Sequence, residues 1–339
     1  MDRKCISIPF LKAVIDDYGL DWVQFLDQNV GCATFPCFST DYGHPPVPGH
    51  WMTDKMQLRV DTFHARAASA QGNDPARKII VSVESPSNEY FMPHFQICDI
   101  RVVPPGMRAE HWLWWDWVPL YHFLDHEYIL IQGGLGHGAH PHHLAMRNAC
   151  NLVVGEILGA VIEGNGDLLN VDSAGINWAP WGSHVGSNDE ALEMLRTTTA
   201  LRRGPARDFL VMGRMLAPAK VENIKNMEWN YESRVHNVPV VFHGAWQAPD
   251  GRLGIVLSNW TTDVQRVTVT DPRLGDAVIQ HIASQSVETK SRRLRVKTLA
   301  ILLPPARVYS SSQKETHDHL SRYSKQRYRM GILIRQGLR

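Results

Sequence analysis

The 339-residue chain has no window of about 18 continuous apolar residues, so no segment reads as a membrane-spanning helix. Its start, MDRKCISIPFLKAVID, lacks the apolar core of a signal peptide. As given, the chain is expected to be soluble and cytoplasmic, with no membrane partner; an export signal would have to lie ahead of Met1, where the chain reads as truncated. A dominant charge is missing too. Thirty-five Lys and Arg face 34 Asp and Glu, so no general field draws nucleic acid or an anionic surface. Cysteine is scarce: Cys5, Cys32, Cys37, Cys98 and Cys150 are an odd number spread over a long chain, which argues against a disulfide framework. Cys32 and Cys37 lie close together, but no second pair completes a four-sulfur zinc site, and small buried thiols near a loop are expected. Gly133-Gly-Leu-Gly136 falls short of the dinucleotide fingerprint, no solenoid repeat is present, and no cofactor is expected.

What is present is a globular composition, 44% hydrophobic and 20% charged, with 11 Trp and 17 His as its unusual components. Pro9 to Tyr18 has apolar residues at helical spacing, and Gly19 stands where a helix C-cap belongs. Trp22 to Asp27 is a β-prone run ending in a carboxylate. A loop rich in Gly, Pro and aromatic residues follows over 31–51, then a helix expected over Thr53–Ala70 with Thr53 as N-cap. Lys78 to Glu84 is the clearest strand, β-branched and again ending in a carboxylate. Residues 118–131 mix strand and helix character, and helices are expected near 143–162 and 188–203. This alternation predicts a parallel sheet with its chemistry at the strand C-termini. After about Pro218 the pattern turns to short strands: a hairpin of Pro239–Trp246 and Leu253–Ser258 around Pro249-Asp-Gly251, then 265–270, 277–282 and 298–303. The expected fold class is α/β plus all-β: a partial (β/α) TIM-type barrel over 1–218, a C-terminal antiparallel β-sandwich over 219–311, and a basic surface tail over 312–339. Only three or four βα units precede the β domain, whereas a closed barrel needs eight.

The chemistry-bearing pair is Asp27 and Glu84, each closing a predicted strand and entering a polar loop. In a parallel barrel both would face the rim where substrate lies. Glycoside hydrolysis needs two such carboxylates, one as nucleophile or base and one as acid. A strand-end acid can equally cap the next helix or pair with an Arg. Glu89 competes with Glu84 on the same loop. Gln28 and Asn29 follow Asp27 and could hold hydroxyls through their amides, and His44, Tyr42 and Trp51 lie on the loop behind. His111 to Trp117 holds four tryptophans, among them Trp114 and Trp115, whose faces could stack on pyranose rings or plug a core. His126 and Glu127 take a third candidate strand-end position. His137, His140, His142 and His143 cluster in HGAHPHH, but Gly138 and Pro141 make this a loop rather than a zinc-protease helix face, and no metal is expected.

The stretches VQFLDQNVGCATFPCFSTDYGHPPVPGHWM, VSVESPSNEYFMPHFQICDIR and VPLYHFLDHEYI resemble an uncharacterised bacterial family placed with the glycoside hydrolases. The resemblance covers roughly residues 10 to 305, most specifically at Asp27-Gln-Asn29, at the loop from His44 to Gly49, and at Glu84 to Glu89. It implies a (β/α)8 barrel with a C-terminal β-sandwich and a retaining glycosidase of the α-amylase and α-galactosidase type. Asp27 is then the implied nucleophile and Glu84 the implied acid, with Glu89 as substitute. Family members carry further strands, and often a β domain, before this point. The expected function is hydrolysis of O-glycosidic bonds, in a truncated or split form. A carbohydrate is the expected partner, with a missing N-terminal barrel half or a second copy of the chain completing the fold. The alternatives are a non-catalytic carbohydrate-binding remnant and a metal-dependent hydrolase using the histidine cluster.

Overall fold

The computed structural model describes residues 13–25, 38–41, 43–45, 49–74, 76–84, 89–100, 119–133, 149–157, 196, 198–231, 234–261, 263–274, 278–283, 286–293, 298–303 and 331–336. The chain divides into two compact units, residues 1–100 with 128–131, and residues 101–127 with 132–339.

The first unit opens on a π-type turn, Ala13–Asp17, with Val14 and Ile15 buried. The Tyr18 N–H donates to the Ala13 carbonyl and the Leu20 N–H to the Val14 carbonyl; Gly19 between them has φ +67°, the left-handed conformation expected of a C-cap. Strands β1 (Trp22–Phe25), β2 (Ile80–Glu84) and β3 (Ile97–Ile100) follow, and β4 (Leu130–Gly133) completes a sheet ordered β1-β2-β3-β4. β1 pairs with β2, and β2 with β3, in parallel. Helix α1 (His50–Asn73) lies between β1 and β2 in the chain. It starts three residues ahead of the expected Thr53, with Gly49 as an N-cap that makes no side-chain hydrogen bond. Val60, Phe63, Ala67 and Ala70 are buried at three- and four-residue spacing, the stripe that makes this sequence a helix. An Arg66–Asp16 ion pair ties α1 to the opening turn.

The second unit contains a six-stranded antiparallel sheet in the order β13-β12-β15-β10-β9-β5. Its strands are β5 (Arg214–Leu216), β9 (Val241–Gln247), β10 (Leu253–Asn259), β12 (Val278–Ala283), β13 (Ser286–Arg293) and β15 (Gly331–Gln336). A three-stranded sheet joins β14 (Thr298–Leu303), β11 (Gln265–Thr270) and β6 (Lys220–Glu222), and β7 (Asn226–Tyr231) pairs with β8 (Arg234–Pro239). The expected hairpin is β9–β10, closed at Gly251 with φ +84°. Every residue of β10 is buried. Val256 joins Trp246, Phe209, Leu210 and Leu152 in one core, whereas Leu253, Ile255 and Leu257 join Val267 and Val269 of β11 in another. Core therefore forms on both faces of this sheet, and alternation along β10 divides its side chains between them. Residues 331–336, expected in a surface tail, instead form β15, hydrogen-bonded between β10 and β12. Backbone pairing overrides charge here, since Arg335 sits within a strand flanked by Ile332, Leu333 and Ile334.

Two short helices also belong to this unit: α2 (Leu120–Asp125), close to β5, and α3 (Arg207–Leu210). α2 reverses the usual pattern, burying His122 while Leu120, Phe123 and Leu124 stay exposed. Among the described residues no helix is long and apolar enough to cross a membrane.

Candidate functional site

The first sheet has one polar face, and strand register builds it. Trp22 pairs with Ile80, Gln24 with Ser82, Ser82 with Ile97, and Glu84 with Asp99. Side chains alternate along a strand and in-register neighbours share a face, so Trp22, Gln24, Ser82, Glu84 and Asp99 all lie on one side. Val23, Val81, Val83 and Cys98 take the other, where Val81, Val83 and Cys98 are buried. Glu84 is the last residue of β2, and Asp99 stands beside it on β3. Each is 8% exposed. Neighbouring strands run about 4.8 Å apart, so two carboxyl groups project from adjacent positions at the carboxyl end of a parallel sheet.

Hydrogen bonds order this face. Gln24 Nε2 donates to Asp99 Oδ2 at 3.3 Å, and the two side chains lean toward each other over the intervening β2. Trp22 Nε1 donates to Ser82 Oγ at 2.7 Å, which satisfies the hydroxyl of a buried serine. The Val81 N–H donates to Gln96 Oε1 at 2.8 Å, joining the start of β3 to β2. Neutral groups satisfy one another toward the amino end of the strands, and ionisable acceptors gather at the carboxyl end, the side that carries ligands in open α/β sheets.

The other sequence-predicted residues are spread more widely. Glu89 sits in a turn five residues beyond β2 and is exposed, whereas Glu84 is enclosed at the strand end. His44 and Trp51 do come together: their rings stack at 4.1 Å with 10° between planes, and His44 Nδ1 bonds the Pro45 carbonyl oxygen at 2.7 Å. The strand-end position expected for His126 and Glu127 is corrected. Both precede β4 in the turn after α2, Glu127 is exposed, and His126 is 3% exposed. His126 Nδ1 lies 3.0 Å from the Gly213 carbonyl oxygen and Nε2 3.3 Å from that of Gly155, which also accepts from Arg202 Nη2 at 3.1 Å. Its ring meets Trp246 edge-on at 4.6 Å. Burial lowers the His126 pKa to about 4, so the ring is neutral at pH 7, and the shorter contact assigns its proton to Nδ1. The misreading has a physical reason: His126 follows a helix whose own histidine also turns inward, His122 Nε2 meeting Glu156 Oε1 at 2.7 Å in a buried pair.

Asp27, Gln28, Asn29, Tyr42, Trp114, Trp115 and the His137–His143 cluster lie outside the described residues. Among the described residues no group of three or more His, Cys, Asp or Glu side chains is arranged to hold a metal ion. The sequence reading passed over Asp99, Gln24 and Ser82. Asp99 had one visible signal, the short β-prone run Ile97-Cys-Asp-Ile100 directly after the Glu84 loop.

No family model matches the chain, and no curated protein matches it in sequence. Among solved structures it is similar to a noncanonic maltogenic alpha-amylase, AmyB, from Thermotoga neapolitana, at 11% identity and TM-score 0.45, covering 88% of this chain and 62% of that one. It is similar to a GH30 endoxylanase from Clostridium papyrosolvens C71 at 8% identity and TM-score 0.40, covering 96% and 92%. A GH27 β-L-arabinopyranosidase from Geobacillus stearothermophilus gives 11% identity and TM-score 0.39, covering 96% and 61%. The chain thus spans under two thirds of the length of the amylase and of the arabinopyranosidase.

Proposed function

We propose that this chain is a glycoside hydrolase-like protein that cleaves O-glycosidic bonds with two carboxylates. Glu84 is the acid that protonates the leaving-group oxygen, and Asp27 is the nucleophile that the family resemblance implies. Residues 1–218 are proposed as part of a (β/α) barrel and 219–311 as a β-sandwich, with a carbohydrate as the bound partner. The observation that carries the reading is Glu84 beside Asp99, two enclosed acids on the polar face of a parallel sheet at its carboxyl end. Such a pair suits a reaction that must donate a proton and stabilise positive charge on a sugar ring within one site. Glu84 is preferred to Glu89 because the strand fixes its backbone, whereas Glu89 stands exposed in a turn.

The test is turnover of aryl and alkyl glycosides by the full chain. Asp27→Asn should lower kcat by about a thousandfold on every substrate. Glu84→Gln should cost about a hundredfold on alkyl glycosides, whose leaving group needs the proton, and under about tenfold on dinitrophenyl glycosides, which do not. Equal losses on both substrate types would remove Glu84 as the acid. Saturable sugar binding without turnover would leave a carbohydrate-binding protein in place of a hydrolase.

A further inference from the structure

We infer that α2 is a latch released by acid: when His126 takes a second proton, α2 and the turn after it come away from Gly155 and Gly213 while the six-stranded sheet stays folded. The make-up of the helix is the first support. It is six residues long and turns Leu120, Phe123 and Leu124 to solvent, whereas His122 and, in the turn, His126 are the enclosed side chains. Lifting it uncovers little apolar surface of its own, and segments of that kind open at lower free energy than a core strand. Its hold is polar instead: His126 Nδ1 donates to the Gly213 carbonyl, and His122 Nε2 meets Glu156 Oε1. His122 Nδ1 and Glu156 Oε2 are buried without a hydrogen-bond partner, so an opening that lets water reach them recovers part of its cost. The groups around His126 decide the sign. Its Nε2 lies 3.3 Å from the Gly155 carbonyl oxygen, which already accepts from Arg202 Nη2, so a second ring proton competes for an occupied acceptor and encloses a cation beside a guanidinium. Burial first, and then Arg202 and His122, keep that proton off against the pull of the two carbonyls. No carboxylate among the described residues bonds the ring. Glu156 meets His122, Asp208 pairs with Arg252, Asp125 is half-buried on α2, and Glu127 and Arg203 are exposed. Arg214 of β5 bonds Gln247, and His243 of β9 takes the opposite face from Trp246. In the open state the His126 ring meets water and takes its proton near 6.5, so acid draws the equilibrium toward opening.

The experiment is amide hydrogen exchange of the full chain at pH 7 and pH 4.5, corrected for the intrinsic rate at each pH and repeated in low urea. The Phe123 and His126 amides, which donate to the Pro119 and His122 carbonyls, report on α2, and the amides of β10 report on the sheet. Protection at Phe123 and His126 should fall about fifty-fold from pH 7 to pH 4.5. It should stay below that of β10 at both pH values and be insensitive to urea, because the opening exposes little surface. His126→Gln keeps an N–H donor for Gly213 and does not titrate, so in this variant the fall should be under about threefold. Arg202→Met removes the cation beside the ring and should make the fall smaller than in the wild type; it decides the matter if His126→Gln fails to fold. Exchange at α2 with the same urea dependence as at β10 would mean that the helix opens only with the whole sheet, and would overturn the latch. An equal fall in the wild type and His126→Gln would overturn it by assigning the response to another group. Protection at α2 that does not change with pH would do the same by showing that His126 stays neutral or that its proton does not move the helix.

Discussion

The two sheets answer the same problem in opposite ways. In the six-stranded sheet, β10 is buried along its whole length, and its side chains serve a core on each face. In the four-stranded sheet one face is apolar, and the other carries Gln24, Ser82, Glu84 and Asp99. Enclosing an acid carries a cost that its partners must offset, so the polar face gains less from burial than the six-stranded sheet, which offers no acid at its centre. Substitutions should therefore divide: those around Trp246 should change unfolding free energy, and those on the polar face should change activity first.

The largest expected effect is at Trp246, fully buried with its indole N–H donating to the Val153 carbonyl at 3.0 Å. Trp246→Ala should cost about 4 kcal/mol in urea unfolding, from lost packing and an orphaned carbonyl. Gly155→Ala comes next. Gly155 has φ +79°, and a Cβ there would lie 2.5 Å from His126 Nε2 and 2.6 Å from Trp246 Cη2, so a loss of about 3 kcal/mol is expected. A cost below about 1 kcal/mol at either position would mean that this core yields easily, and the contrast between the sheets would weaken.

His126 sharpens the comparison through pH. Its pKa is about 4 in the folded protein against 6.5 when unfolded, so the unfolded chain binds the proton more tightly between those values. Stability is therefore unaffected above pH 6.5 and falls as pH drops toward 4. Between pH 7 and 4.5 the wild type should lose about 2.5 kcal/mol more than His126→Gln. Parallel pH dependence in the two proteins would show that the imidazole is not enclosed. The smallest effect belongs to the polar face: Ser82→Ala removes the acceptor for Trp22 Nε1 and should cost about 1 kcal/mol. A loss as large as that of Trp246→Ala would make this face a core like any other and end the distinction.

Much of the framework was legible because its signals are local. β2 reads from Ile80, Val81 and Val83, β10 and β14 from continuous apolar runs, β11 from alternation, and the β9–β10 turn from Pro249-Asp-Gly251. β5 to β8 were not legible, since Lys220, Glu222, Glu228 and Arg234 place charges in strands defined by their neighbours rather than by their own composition. β13, Ser-Val-Glu-Thr-Lys-Ser-Arg-Arg, is the same case. At the candidate site, Glu84 was visible because it ends a long β-branched run. Asp99 was passed over because β3 has only four residues, and nothing in the sequence reveals that register sets it beside Glu84. α2 misled for the opposite reason: its apolar residues face solvent, and the helix is held by histidines whose partners, Glu156 and Gly213, lie far along the chain.

β15 adds a demand on the order of events during synthesis. β10 and β12 pair with β15 rather than with each other, so this part of the sheet has an empty slot until residues 331–336 have left the ribosome. Joining β10 to β15 closes a loop of about 80 residues, a late and entropically costly step. In that interval Leu253, Ile255 and Leu257 lie on an unpaired strand edge, the kind of surface that other chains add to. Whether this protein is recovered folded or as aggregate should therefore depend on how quickly β15 arrives.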